Sequence, residues 1–304
     1  MLNIRWKKHG RIFHIGLKKK NSFSYSHTSN PVPVKIKNDI YRIFYASRNK
    51  DNKSSIFSFD FDLKKLKIIK FSNKPVIKFN PNSYFSHGVT PSQIFKYKNT
   101  NYMLCMCWQI PRNQHWRGDI GIFRFNKKMN KLQANKKIFL DAKELNEISL
   151  SYPAIIKKKS TLDIFYGSTV EWESDKRDMI HIIKFLRYNL KSKKIFSKKI
   201  AINNKKNICE AMSRPTILDY KNILNLWFSY RNGKKNSKYK IGYAFFKNKK
   251  WKLDLNKNII KKSKLGFDSK MVEYPYVFKH KKKLYMLYNG NSYGASGIGL
   301  AYAC

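Results

Sequence analysis

Carboxylates are scarce in this chain, so those that stand near other chemistry are informative. Its 304 residues hold 18 Asp and Glu against 64 Lys and Arg. Three acids sit shortly ahead of proline-led apolar segments: Glu210 before Pro215, and Asp268 and Glu273 before Pro275. Two carboxyl groups flanking an acetal can cleave it, one donating a proton to the departing oxygen and the other activating water or attacking carbon. Glu210 and Glu273 are the expected acid and base, with Asp268 holding or tuning them. Glu171 and Glu173 are further acids near the same place. In a purely structural reading, Asp268 would bond backbone in a Gly-Phe-Asp-Ser turn and Glu273 would pair with Arg214.

His27 and His87 each stand four residues before a proline and directly after a serine. Such a matched pair could bind hydroxyls, shuttle a proton or share a metal. Two histidines without a third ligand do not make a metal site, and neither metal nor cofactor is expected. His115 and His181 are read as structural. Where lysine is the default cation, an arginine suggests a need for a planar forked donor. Arg48 and Arg231 end corresponding segments, Arg214 precedes a proline, and Arg112 and Arg117 flank Trp116. Their convergence would suit a phosphate, an acidic sugar or a nucleotide-sugar. Trp108, Trp116, Trp172 and Tyr274 offer faces that stack on sugars, and Asn30, Asn289 and Asn291 offer amides for hydroxyls. Large aromatics also serve as wedges between sheets.

These residues recur in step because the chain repeats. Five segments share one form: proline, an alternating apolar strand, a polar turn, and a second strand rich in aromatics. Their prolines fall at 31, 91, 153, 215 and 275, with spacings of 60, 62, 62 and 60 residues. A third strand follows in each unit, for example Tyr239-Lys-Ile-Gly-Tyr-Ala, and most add a fourth, such as Lys250-Trp-Lys-Leu. Proline suits the head of a first strand, where the N–H is dispensable. The expected fold is all-β: a single five-bladed β-propeller over residues 1–304, with four-stranded antiparallel blades. The last unit ends soon after its third strand, so Gly10 to Ile15 is expected to supply its outer strand. Residues before each proline and those leaving each second strand then meet at one mouth of a central channel.

Three stretches carry a resemblance. Tyr239-Lys-Ile-Gly-Tyr-Ala, Gly266-Phe-Asp-Ser-Lys-Met-Val-Glu-Tyr-Pro275 and Tyr285-Met-Leu-Tyr-Asn-Gly-Asn291, with the repeat length, resemble the five-bladed propeller superfamily of glycoside hydrolases, families 43, 32, 62, 68 and 130. The resemblance is strongest to glycosidase-like members associated with bacterial surface-polysaccharide genes. It implies a glycosidase-like protein acting on a sugar, anionic if the arginines converge. A non-catalytic glycan-binding propeller and a glycoside phosphorylase or transferase are the alternatives. Those hydrolases commonly place an Asp immediately before the first proline. Here Asn30, Thr90, Tyr152, Arg214 and Tyr274 precede the five prolines.

Composition bounds the rest. With 42% hydrophobic and 15% aromatic residues the chain can bury a large core despite a net charge of +46. The lysines are scattered among many Asn, Ile, Phe and Tyr, a mixture that an AT-biased genome produces, so nucleic acid is not the expected partner. No run is apolar enough to span a membrane and the basic N-terminus lacks a signal-peptide core, so a cytoplasmic protein is expected. Cys105, Cys107, Cys209 and Cys304 are read as reduced, mostly packed thiols.

Overall fold

The computed structural model describes residues 2–111, 115–172, 179–234 and 237–304. The structure is all-β. The strands in chain order are β1 (Trp6–Phe13), β2 (Ser26–Lys37), β3 (Ile40–Arg48), β4 (Ser54–Asp62), β5 (Lys67–Phe71), β6 (Gly88–Tyr97), β7 (Thr100–Gln109), β8 (Arg117–Phe125), β9 (Leu132–Ala134) and β10 (Ser149–Lys158). They continue as β11 (Thr161–Trp172), β12 (Met179–Asn189), β13 (Lys194–Ile202), β14 (Ala211–Tyr220), β15 (Ile223–Arg231), β16 (Lys240–Lys247), β17 (Lys250–Asp254), β18 (Glu273–His280), β19 (Lys283–Asn289) and β20 (Ile298–Ala303).

Consecutive strands pair antiparallel in groups: β2 to β5, β6 to β9, β10 to β13 and β14 to β17. The last group, β18 to β20, takes β1 as its fourth strand, with Trp6 opposite Ala303 and Phe13 opposite Ile298. That strand begins and ends earlier than the Gly10 to Ile15 stretch expected to fill the place. Several turns joining first to second or third to fourth strands are two-residue turns with both residues at positive φ, as at Lys98-Asn99, Lys221-Asn222 and Asn248-Lys249. This geometry matches the natural twist of a hairpin and favours Asn.

The core lies between neighbouring groups. Phe44 meets Phe125 at 5.2 Å between ring centroids, Phe165 meets Trp251 at 5.6 Å, and Phe13 of β1 stacks on Phe59 at 4.3 Å. Each of these ring pairs spans two groups, so burial of one sheet's face depends on the next. The first strands touch in sequence, β2 with β6, β6 with β10, β10 with β14, β14 with β18, and β18 with β2. Cys105 and Cys107 lie on one face of β7 in the core, Cys209 is buried, and Cys304 is exposed; all four are free thiols.

Candidate functional site

Each first strand carries a register shift at or beside its proline. Asn30, Tyr152, Arg214 and Tyr274, the residues preceding four of those prolines, have φ of 55°, 37°, 54° and 53°. A residue before proline normally stays extended, and a left-handed L-residue is strained, so this geometry is held by its surroundings. Thr90, the fifth, is not left-handed, as expected of a β-branched side chain. A bulge of this kind re-aims its side chain relative to the regular pleat. Asn30, Thr90, Tyr152 and Tyr274 all line one cavity of about 360 Å³.

The ends of second strands complete the wall with Arg48, Trp108, Trp172 and Arg231. Gly88 lacks the Cβ that would collide with the Trp108 indole, whose Nε1–H donates to Ser54 Oγ at 2.9 Å. Trp172 packs edge-on to Trp116 at 5.1 Å and flat against His115 at 4.5 Å. Tyr274 lies 5.7 Å from Tyr152 and 6.4 Å from Tyr239, and Tyr239 is 6.1 Å from Tyr293, giving a continuous aromatic flank.

The openings of third strands contribute residues that reasoning from first and second strands missed, namely Met179, His181 and Tyr239. These strands start at the same end as the second strands finish, a rule of antiparallel pairing that would have found them. His181 was read as structural, yet it lines the cavity with Ser151, its Nε2 3.3 Å from Ser151 Oγ. Gly167 has no Cβ to fill the space these two occupy. Burial takes the His181 pKa down to about 4. Burial and the nearby Arg48 charge do the same for His27, also to about 4. Both imidazoles are therefore neutral between about pH 5 and 8. Since the folded state binds fewer protons, these groups lower stability as pH falls below their unfolded value. NMR titration is expected to show flat His27 and His181 ring shifts across that range; a mid-range inflection in either would contradict this burial.

The two cavity arginines differ. Arg231 is buried, lies over the Tyr239 ring at 5.6 Å, and donates from one terminal nitrogen to the carbonyls of Asn232, Gly233 and Lys234 at 2.8, 2.9 and 2.6 Å. Arg48 is half-buried in the wall, and among the described residues no carboxylate pairs with it. His87 packs edge-on against Trp108 at 4.5 Å, just behind the wall, where the Lys53 and Arg48 charges add to burial in lowering its pKa.

Neither member of the expected carboxylate pair lines the cavity. Glu210 accepts the N–H groups of Asn207 and Gly233 at 2.9 and 2.8 Å, which ties two loops together and holds its pKa low. It does not line the cavity. Asp268 accepts from Lys8 Nζ at 2.6 Å and from Tyr288 O–H at 3.1 Å, neither the backbone turn bond nor the tuning contact expected. Glu273 is fully buried behind the wall, and among the described residues neither carboxyl oxygen has a hydrogen-bond partner of good geometry. Burial pushes its pKa well above the usual carboxylate range, against weaker pulls from the Tyr293 N–H and the Arg48 charge. Among the described residues, no Asp or Glu lines the cavity.

Three further expected binding residues serve the frame. Arg214 is fully buried beneath Tyr152, its guanidinium 5.9 Å from that ring and 5.6 Å from Tyr276. It donates to the carbonyls of Ser92 at 2.9 Å and Pro31 at 3.3 Å rather than to Glu273. Asn289 accepts the Asn30 N–H at 2.8 Å and donates to Thr28 and Gly297 carbonyls, fastening β19 to β2. Asn291 accepts the N–H groups of Lys270 and Met271. Arg112 and Glu173 lie outside the described residues.

No protein-family model matches the chain. Two uncharacterized proteins, from two strains of Mycobacterium tuberculosis, are each 29% identical to it over 303 residues, covering 98% of this chain and 99% of their own. Among solved structures, BT0996 in its RGII complex superposes with a TM-score of 0.75 at 12% identity, over 99% of this chain and 92% of that protein. The catalytic domain of the Coprinopsis cinerea GH62 α-L-arabinofuranosidase gives 0.68 at 13% identity, over 99% and 97%. A thermostable family-43 glycoside hydrolase gives 0.68 at 12% identity, over 93% and 91%. The chain therefore shares the fold of glycoside hydrolases of families 43 and 62.

Proposed function

We propose that the chain is a single five-bladed β-propeller over residues 1–304 whose cavity binds a sugar bearing a carboxylate or phosphate, as part of bacterial surface-polysaccharide metabolism. The blade reading is supported by the five groups of strands and by first strands that touch in a full cycle. The observation that carries the sugar reading is Arg48. It is a half-buried guanidinium in a wall of Trp and Tyr rings, with no carboxylate paired to it among the described residues. A forked cation in a partly dry pocket favours a planar or tetrahedral anion, and the rings favour the apolar face of a pyranose. The cavity volume falls within the range of about 300–1,000 Å³ typical of small-ligand sites. Recognition rather than two-carboxylate hydrolysis is the primary role, because Glu210 and Asp268 are engaged elsewhere.

The test is isothermal calorimetry against uronate-containing and neutral oligosaccharides of matched length. Arg48→Ala is expected to weaken binding of the acidic member by about 10- to 100-fold, the loss typical of a charge-assisted hydrogen bond. The neutral member should change little. Equal affinity of wild-type protein for both classes would remove the acidic-sugar assignment.

A second reading is phosphorolysis, favoured by the Glu273 carboxyl, whose pKa burial raises, behind a wall that carries Arg48. Phosphate held by Arg48 would attack the anomeric carbon as the bond to the departing oxygen breaks. That oxygen would take up a proton supplied from Glu273 through the pocket, leaving a sugar phosphate and a free hydroxyl. Phosphate-dependent release of sugar phosphate, lost in Glu273→Gln with binding retained, would establish it. Release without phosphate would exclude it.

A further inference from the structure

First strands begin, and second strands end, at the cavity; the loops before β14 and before β18 therefore lie at that same end of the molecule. Two of these loops have a shared character. In one, Ile208 is 44% exposed beside the exposed Lys205 and Lys206. In the other, Leu265 is 86% exposed beside the exposed Lys262 and Lys264, on a turn whose next residue, Gly266, takes φ of +93°. The same end also exposes Ile110 and Ile148, at 52% and 47%. Among the described residues, the turns at the opposite end, where first strands pass into second strands and third into fourth, present Leu66, and the strand ends beside them expose Ile36, Ile195 and Phe196.

Isolated apolar side chains on a surface are ordinary, but at the cavity end four of them, led by Leu265 at 86% exposure, stand on loops rather than along strands, where they are free to project from the molecule. We propose that this end of the molecule docks on an anionic phospholipid bilayer, turning the cavity toward glycan carried at the membrane surface. The lysines meet the acidic headgroups and the aliphatic tips enter the headgroup region, the two-part attachment used by peripheral proteins. Charge complementarity selects this occupant, because the net charge of +46 disfavours packing a second copy of the chain, or any other basic surface, against the same lysines. Among the described residues, no helix is long and apolar enough to cross a membrane. The proposal does not depend on which sugar the cavity takes.

The test is co-sedimentation of the full chain with phosphatidylcholine vesicles, with and without a third of the lipid as phosphatidylglycerol, at low and raised salt. The wild-type protein should sediment with the acidic vesicles and weaken as salt screens the headgroups. A double variant, Ile208→Asn with Leu265→Asn, should bind them about tenfold or more weakly, because it loses two inserted aliphatic groups. Both side chains are exposed, so its circular dichroism and melting temperature should stay at wild-type values. Leu66→Asn, at the far end, should bind as wild type. Failure of acidic vesicles to recruit the protein, or equal recruitment of the double variant, overturns the proposal. So does a dimer, seen by ultracentrifugation, that the double variant abolishes while vesicles recruit neither protein.

Discussion

Arg214→Ala should lower the free energy of unfolding by about 3 kcal/mol or more, the largest effect expected of any single change near the cavity. The side chain starts on β14 and donates to a carbonyl of β6 and to one of β2, so it ties together strands far apart in sequence. Its removal strands both acceptors in a dry interior and leaves a void between Tyr152 and Tyr276. Relief of the buried charge offsets part of that cost. Burial has already brought the guanidinium pKa down to about 10, although it remains charged at neutral pH. Arg214→Met keeps most of the volume and loses only the donors, so its loss should be about half as large. Urea denaturation of the three proteins decides the matter: an alanine variant within about 1 kcal/mol of wild type would mean that the guanidinium is not a tie.

Glu273→Gln should change how stability responds to pH. The folded-state pKa of Glu273 is raised by burial, so the folded protein holds a proton that the unfolded chain releases. Its favourable contribution is complete below the unfolded carboxylate pKa and is lost as pH rises toward the folded value. The loss runs at about 1.4 kcal/mol per pH unit between those two values. Glutamine mimics the neutral form and does not titrate. Relative to wild type, the variant should therefore become steadily more stable from about pH 5 upward. Comparing the two proteins cancels His27 and His181, whose lowered values act in the opposite direction. Parallel stability curves would mean that Glu273 is ionised in the folded protein.

The frame was legible because proline, strand alternation and turn residues recur together, and each is a backbone requirement written in residue type. Asn30, Arg48, Trp108, Trp172, Arg231 and Tyr274 could be placed near one mouth because strand ends meet there whatever the details of packing. Arg214 shows where that logic stops. It occupies the same kind of position as Tyr152 and Tyr274, but its side chain turns beneath the cavity toward two carbonyls, a direction that depends on three-dimensional neighbours. Glu210 misled for a similar reason: proximity to a proline said nothing of two backbone N–H groups from separate loops converging on its carboxylate. Tyr239 and His181 were missed because attention rested on first and second strands alone.

The left-handed residues before the prolines restrict which changes the cavity can absorb. At positions 30, 152, 214 and 274 the backbone is held at positive φ by its neighbours, so Val, Ile or Thr is excluded there by sterics, whereas Asn, Asp, Tyr or Arg can be accommodated. These positions act as sockets that accept a limited vocabulary of polar and aromatic plugs. At positions 30, 152 and 274, exchanging one plug for another alters the chemistry facing the cavity while leaving the strand pairing in place. A scaffold of this kind can change what its cavity presents by single substitutions while the strands that frame it stay paired.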